Sequence, residues 1–168
     1  CEELSHPLLF PDIAVGNDVV VGPPGTLLLV TGSNMSGKST LLRAIGTNVV
    51  LAHLGCPVSA LRMELSPMRI ETSMRIQDSL SDGVSFFMAE LLRLKQIVDA
   101  ARTSAHDANC GFLFLLDEIL QGTNSRERHI AVTRVAEQLV ACGAIGAIST
   151  HDLELAEAEL RVADPVRR

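Results

Sequence analysis

Two short, continuous apolar runs stand out along the chain: Thr26 to Val30 (TLLLV) and Phe112 to Leu116 (FLFLL). Runs of this length without polar alternation predict strands buried on both faces, as in a parallel sheet. A third run, Ala144 to Ile148, predicts another short buried strand that ends at Ser149-Thr150-His151. Between these runs the apolar period changes to that of a helix. Leu41, Leu42, Ile45, Val49 and Leu51 predict a helix from Leu41 onward, closed by Gly55 and Pro57. Phe87, Leu91, Leu94, Val98 and Ala101 predict a long helix from Phe86 to about Ala105, with Ser85 placed to cap it. Asn124 with Glu127 resembles a helix-start box and predicts a helix to about Ala141. A last helix is predicted over roughly Asp152 to Leu160. Met68 to Ile76 reads as a strand pair or an extended segment. Val15, Val19, Val20 and Val21, around the turn Gly16-Asn17-Asp18, suggest a short strand or hairpin arm. Strands and helices alternate, which predicts an α/β fold with a largely parallel central sheet flanked by helices. No internal repeat or low-complexity linker divides the chain, so residues 1–168 are expected to form one domain.

Composition narrows this picture. The chain is 47% hydrophobic and belongs with globular rather than disordered sequences. No apolar run approaches the length needed to cross a bilayer, and CEELSHPLLF lacks the layout of a signal peptide. The expectation is a cytoplasmic chain with no membrane contact. It begins with Cys and not Met, which suggests a fragment or a processed chain. The formal net charge is −6, and the basic clusters are short, Arg126/Arg128 and Arg167/Arg168. Independent nucleic-acid affinity should therefore be weak or absent. Cys1, Cys56, Cys110 and Cys142 form no C-x-x-C pair, which argues against zinc. The last three flank apolar runs and are expected to be small core residues in a reducing setting.

The candidate chemistry starts at Thr31 to Thr40, TGSNMSGKST. Gly32, Gly37, Lys38 and Ser39 satisfy the P-loop pattern G-x-x-x-x-G-K-[ST] between a predicted strand and a predicted helix. Glycines let the backbone wrap closely around phosphate oxygens, so that N–H groups and the helix N-terminus face negative charge. Lys38 is expected to reach the β- and γ-phosphates, and Ser39 to set its hydroxyl on a magnesium ion. The nucleotide-binding set is thus Gly32, Ser33, Asn34, Met35, Ser36, Gly37, Lys38, Ser39 and Thr40. Ligands in open α/β sheets bind beyond the C-terminal strand ends. Asp117-Glu118 and His151 follow two of the other predicted strands there. Asp117 suits a Walker B carboxylate holding magnesium with Ser39. Glu118 is placed to orient or deprotonate an attacking water.

TGSNMSGKST, LLDEILQGTNSRER and ISTHDLELA together resemble the ATPase domain of the MutS family of DNA mismatch-repair proteins, within the wider ABC-type ATPases. Asn34-Met35 inside the P-loop, HPLL at 6–9 and NVVLAHLGCPVSA at 48–60 extend the resemblance over most of the chain. The resemblance implies ATP and Mg²⁺ as ligands and a homodimer through the ATPase face. It implies DNA as a partner of a longer parent protein. Ser81 to Phe87 (SDGVSFF) resembles the signature loop that reaches the γ-phosphate held by a partner subunit, with Ser85 as the hydroxyl. His151 resembles a switch histidine at the γ-phosphate, Gly122 to Ser125 a loop along the dimer interface, and Asn17 a position near the base. The segment Arg75 to Ser85 is about two residues shorter than in mismatch-recognising members, and GTNSRER suggests a divergent bacterial branch. Two other readings stay open: a nucleotide-binding regulatory module with little hydrolysis, and another ABC-type ATPase. The second lacks support from an LSGGQ-type signature or a coiled-coil heptad run.

Overall fold

A computed structural model describes residues 1–10, 12–33, 35–74, 86–107 and 109–151, with only the backbone of Phe86. The predicted C-terminal helix, Ser85 and Asn34 lie outside the described residues. The elements run β1 (Leu27–Thr31), α1 (Lys38–His53), β2 (Met68–Met74), α2 (Phe86–Ser104), β3 (Gly111–Asp117), α3 (Ser125–Ala141) and β4 (Ile145–Thr150). Among the described residues the strands form one sheet in the order β1-β4-β3-β2, and all three pairings are parallel.

The reason for the continuous apolar run in β3 is visible in its two neighbours. Phe112, Phe114 and Leu116 face a core shared with Leu94, Ile97 and Ala101 of α2 and Val132, Ala136 and Leu139 of α3. Leu113 and Leu115 face the opposite core, with Leu42, Ala44, Ile45 and Val49 of α1. Side chains alternate along a strand, so a strand covered on both faces needs no polar position. Full burial of a side chain such as Phe114 stabilises the fold by roughly 1.5–3 kcal/mol. Gly146 pairs with Phe114 in the β3–β4 register. A Cβ on Gly146 would come 2.5 Å from the Phe114 ring, so only glycine lets that ring lie against β4.

Two readings of the sequence need correction, and a third is decided between its alternatives. The segment over Val15 to Val21 forms no hairpin on itself. Asn17 instead exchanges backbone bonds with Leu4, and Val19 N–H donates to the Cys1 carbonyl. A short isolated two-stranded arm is marginal in water, and residues 1–4 offer the backbone a better partner. Val15 and Val20 stay exposed while Val19 is buried. Met68 onward takes the second of its two readings, an extended segment: Met68–Met74 is one strand, paired in register with β3. Of the three cysteines expected in the core, Cys142 packs against it, Cys110 is only partly buried, and Cys56 is exposed.

Two polar ties fix how the outer parts sit. Asn48, fully buried on α1, donates to the Ser5 and Ala44 carbonyls and accepts from Ser59 N–H. It therefore ties the P-loop helix to both the N-terminal segment and the loop after α1. On the other edge, Arg93 of α2 donates to Thr72 O and to Glu71. Burial raises the Glu71 carboxyl, but the bonds from Arg69 and Arg93 outweigh it and hold Glu71 below the usual range.

Replacing Asn48 by Leu removes three bonds at once and takes the side-chain partner from the half-buried Ser5 carbonyl and Ser59 N–H. The expected loss is about 2–3 kcal/mol, read as a lower urea midpoint with an unchanged slope.

Candidate functional site

The parallel register brings three strand ends to one edge of the sheet. Thr31 pairs with Thr150, and Asp117 pairs with Ser149. The P-loop, Asp117-Glu118 and His151 therefore leave the sheet side by side, with β4 between β1 and β3. Gly37 adopts a left-handed conformation with φ 89° and turns the loop into α1. A left-handed residue at this point suits glycine, which has no Cβ to clash. No side chain caps the start of α1. Its first turn is thereby open to an anion in the way the P-loop motif requires.

Lys38 is buried, at 6% exposure. Its Nζ donates to the carbonyls of Gly32 and Ser33, at 2.9 Å each, and lies 3.7 Å from Glu118 Oε1. Ser39 Oγ donates to Asp117 Oδ1 at 2.9 Å, and Ser149 Oγ donates to the same oxygen. Ser36, Thr40 and Asn17 share a cleft of about 590 Å³ with the loop glycines and Lys38. His6, Leu9, Ile13 and Val15 line its other wall. Met35 stands on the outside of the loop, fully exposed, with φ 67°.

Glu118 sits on a sharp elbow. Both Glu118 and Leu120 have positive φ, 47° and 60°. Glu118 N–H donates to both Ser149 O and Ser149 Oγ at 3.1 Å. Its carboxylate accepts from Gln121 Nε2 at 2.8 Å and lies 3.9 Å from His151 Nδ1. Leu120 N–H donates to Glu90 Oε1 at 2.8 Å. Glu90 is buried in α2 at 6% exposure. Burial pushes its carboxyl up, and the bond from Leu120 opposes that shift.

The structure thus brings together Gly32, Ser33, Ser36, Gly37, Lys38, Ser39, Thr40, Asp117, Glu118 and His151, with Asn17 across the cleft. Ser85 and Asn34 lie outside the described residues. Ser149, Gln121 and Glu90 carry site geometry that the sequence reading gave no role. Ser149 could have been found from its place one strand over from Asp117, had the strand order been known. The apolar cleft wall was signalled only by HPLL.

These features define a nucleotide-binding α/β domain built on a P-loop. Residues 28–165 match the family model of MutS domain V, the ATPase domain of MutS, and the chain belongs to that family. Among solved structures it is similar to an ATP-binding protein of Pyrococcus furiosus, described as a putative ABC transporter. That match has 16% identity over 90% of both chains and a TM-score of 0.49. PCH-2 of C. elegans matches with 14% identity over 81% of this chain and 32% of that chain, at a TM-score of 0.42.

Burial raises the Glu90 carboxyl above its ordinary value of 4.5, so folding favours the neutral form more than the unfolded chain does. That contribution to stability is fully present below the unfolded value and is lost as pH rises through the folded one. Glu90→Gln cannot ionise. Urea midpoints of the two proteins should diverge in favour of Gln as pH rises from about 4 to about 8.

Proposed function

We propose that this domain binds ATP with Mg²⁺ and hydrolyses it in a site completed by a second copy of the chain. The observation that carries the reading is the convergence of Lys38, Ser39, Asp117, Glu118 and His151 at one sheet edge.

The cleft of about 590 Å³ suits a nucleotide, with phosphates in the loop and the base toward the apolar wall near Asn17. Lys38 exchanges its bonds to the Gly32 and Ser33 carbonyls for phosphate oxygens. The Ser39 hydroxyl and the Asp117 carboxylate are hard oxygen donors 2.9 Å apart, which fits Mg²⁺ completed by waters and phosphate. When bound, Mg²⁺ neutralises charge that builds on the phosphates. Among the described residues no cluster of three His, Cys, Asp or Glu offers a cage of protein ligands.

Glu118 accepts the proton of the attacking water, a role typically worth ~10²–10⁴-fold in rate. Its distance to Lys38 and to His151 puts it beside both groups that would face the γ-phosphate. Ser85, the residue before α2 in the sequence, supplies the hydroxyl that meets the γ-phosphate of the partner copy. This role rests on the likeness of SDGVSFF to the family's signature loop. ATP then bridges two subunits and hydrolysis releases them. In a longer parent this cycle would drive conformational change on DNA during mismatch repair or a related transaction. The net charge of −6 leaves DNA contact to other segments. Among the described residues no helix is long and apolar enough to cross a membrane. We place the domain in the cytoplasm.

Three measurements test the reading. Glu118→Gln should bind ATP–Mg²⁺ within about threefold of the parent chain and lose at least ~10²-fold in turnover. Equal turnover would remove Glu118 from the role. Turnover per chain should also rise with protein concentration, because the site needs two copies. A low, concentration-independent rate with tight binding would mark a nucleotide-binding module instead. Lys38→Ala should weaken ATP binding by roughly tenfold or more, since it removes a charge-assisted phosphate contact. Fluorescence titration with an ATP analogue measures it.

A further inference from the structure

We propose that Glu90 is a positioning residue that sets the backbone elbow from which Glu118 reaches the nucleotide. The proposal deepens the hydrolytic reading and rests on it.

The elbow is conformationally costly. Two non-glycine residues, Glu118 and Leu120, have φ of 47° and 60°. Such residues persist only where their surroundings over-determine them. Two backbone anchors do so here. Ser149 accepts the Glu118 N–H with both its carbonyl and its hydroxyl. Glu90 Oε1 accepts the Leu120 N–H at 2.8 Å from the opposite side. Ile119 and Leu120 are buried in the core that also holds Leu94 and Ile97 of α2. The Leu120 N–H is enclosed with them, and its hydrogen-bond acceptor comes from Glu90.

The choice of a carboxyl for that acceptor is unusual. An amphipathic helix buries apolar residues on its packed face, and a buried carboxyl costs free energy. Glu90 Oε2 has no hydrogen-bond partner among the described residues. A residue kept in place at that cost serves a local need, and the Leu120 N–H is the need in view. Glu90 also lies in the first two turns of α2. Next to it, a Cβ on Gly122 would meet Phe87 at 3.4 Å, so the elbow lies flush on the start of α2. Any shift of α2 along its axis therefore moves the acceptor of Leu120 and with it the aim of Glu118. Glu90 ties the start of α2 to the base of the chain's own site.

The test uses the 168-residue chain and three variants. Glu90→Met keeps the bulk and removes the acceptor, Glu90→Asp withdraws it by one methylene, and Glu90→Gln keeps an oxygen in place. Hydrogen–deuterium exchange of the Leu120 amide and ATP–Mg²⁺ turnover are both measured. In the Met and Asp variants Leu120 should exchange at least about tenfold faster. Their kcat should fall about tenfold or more while KM for ATP–Mg²⁺ stays within about twofold. Gln should restore both readouts. Unchanged Leu120 protection in the Met or Asp variant overturns the proposal. So does fast exchange with full kcat, or a Gln variant as impaired as Met. If Met does not fold, Asp against Gln still decides. Should Glu118→Gln retain turnover, the base assignment fails, while exchange at Leu120 still reports whether Glu90 holds the elbow.

Discussion

The structure depends on one shared acceptor, Asp117 Oδ1. Ser39 from α1 and Ser149 from β4 both donate to it, and Asp117 itself ends β3. Three elements from distant parts of the sequence are thereby locked at one point. The lock requires the β1-β4-β3 order, because Ser149 pairs with Asp117 only when β4 lies beside β3. It also requires α1 to begin at Lys38, so that Ser39 falls in the first turn. A carboxylate buried to 7% exposure would be costly alone. Two hydroxyl donors offset that cost and fix the carboxylate's orientation before any ligand is considered.

The cationic side of the site follows the same logic. Lys38 is buried, and a buried ammonium needs partners. It has two loop carbonyls at hydrogen-bond distance and the Glu118 carboxylate 3.7 Å away. The carbonyl bonds hold the glycine loop around the ammonium, so the cradle has its shape from the chain's own charge. Glu118 in turn is shared among Lys38, Gln121 and His151. The proposed base thus belongs to a network, and a change in any one of these contacts alters the position of the others.

Much of this was legible in the sequence because it rests on local pattern. FLFLL reads as a doubly covered strand, and the structure gives α1 and α2–α3 as the two covers. Asn124 reads as a cap, and its side chain accepts from Glu127 N–H. The P-loop, Asp117-Glu118 and His151 read as strand-end residues, and the register confirms that they share an edge. What was not legible depends on long-range pairing. The valines around Gly16 look like a hairpin until residues 1–4 are seen beside them. Ser149 has no signal apart from its register with Asp117. Glu90 looks like the polar border of an amphipathic helix, and its burial depends on a loop thirty residues away. Cys56 sits beside apolar residues in sequence, yet follows the end of α1 in an exposed turn.

The positive-φ elbow joins these threads. A strand that simply continued past Asp117 would carry Glu118 along the sheet direction, with its side chain set by the strand's alternation. The left-handed step at Glu118 breaks that alternation and redirects the carboxylate toward Lys38. The break carries a conformational cost of order 1–3 kcal/mol per residue. Burial of Ile119 and Leu120 beneath the elbow, with backbone bonds to Ser149 and Glu90, supplies the compensation. The packing core and the candidate site are therefore one structure at this point: the residues that bury the loop are also those that aim the acid.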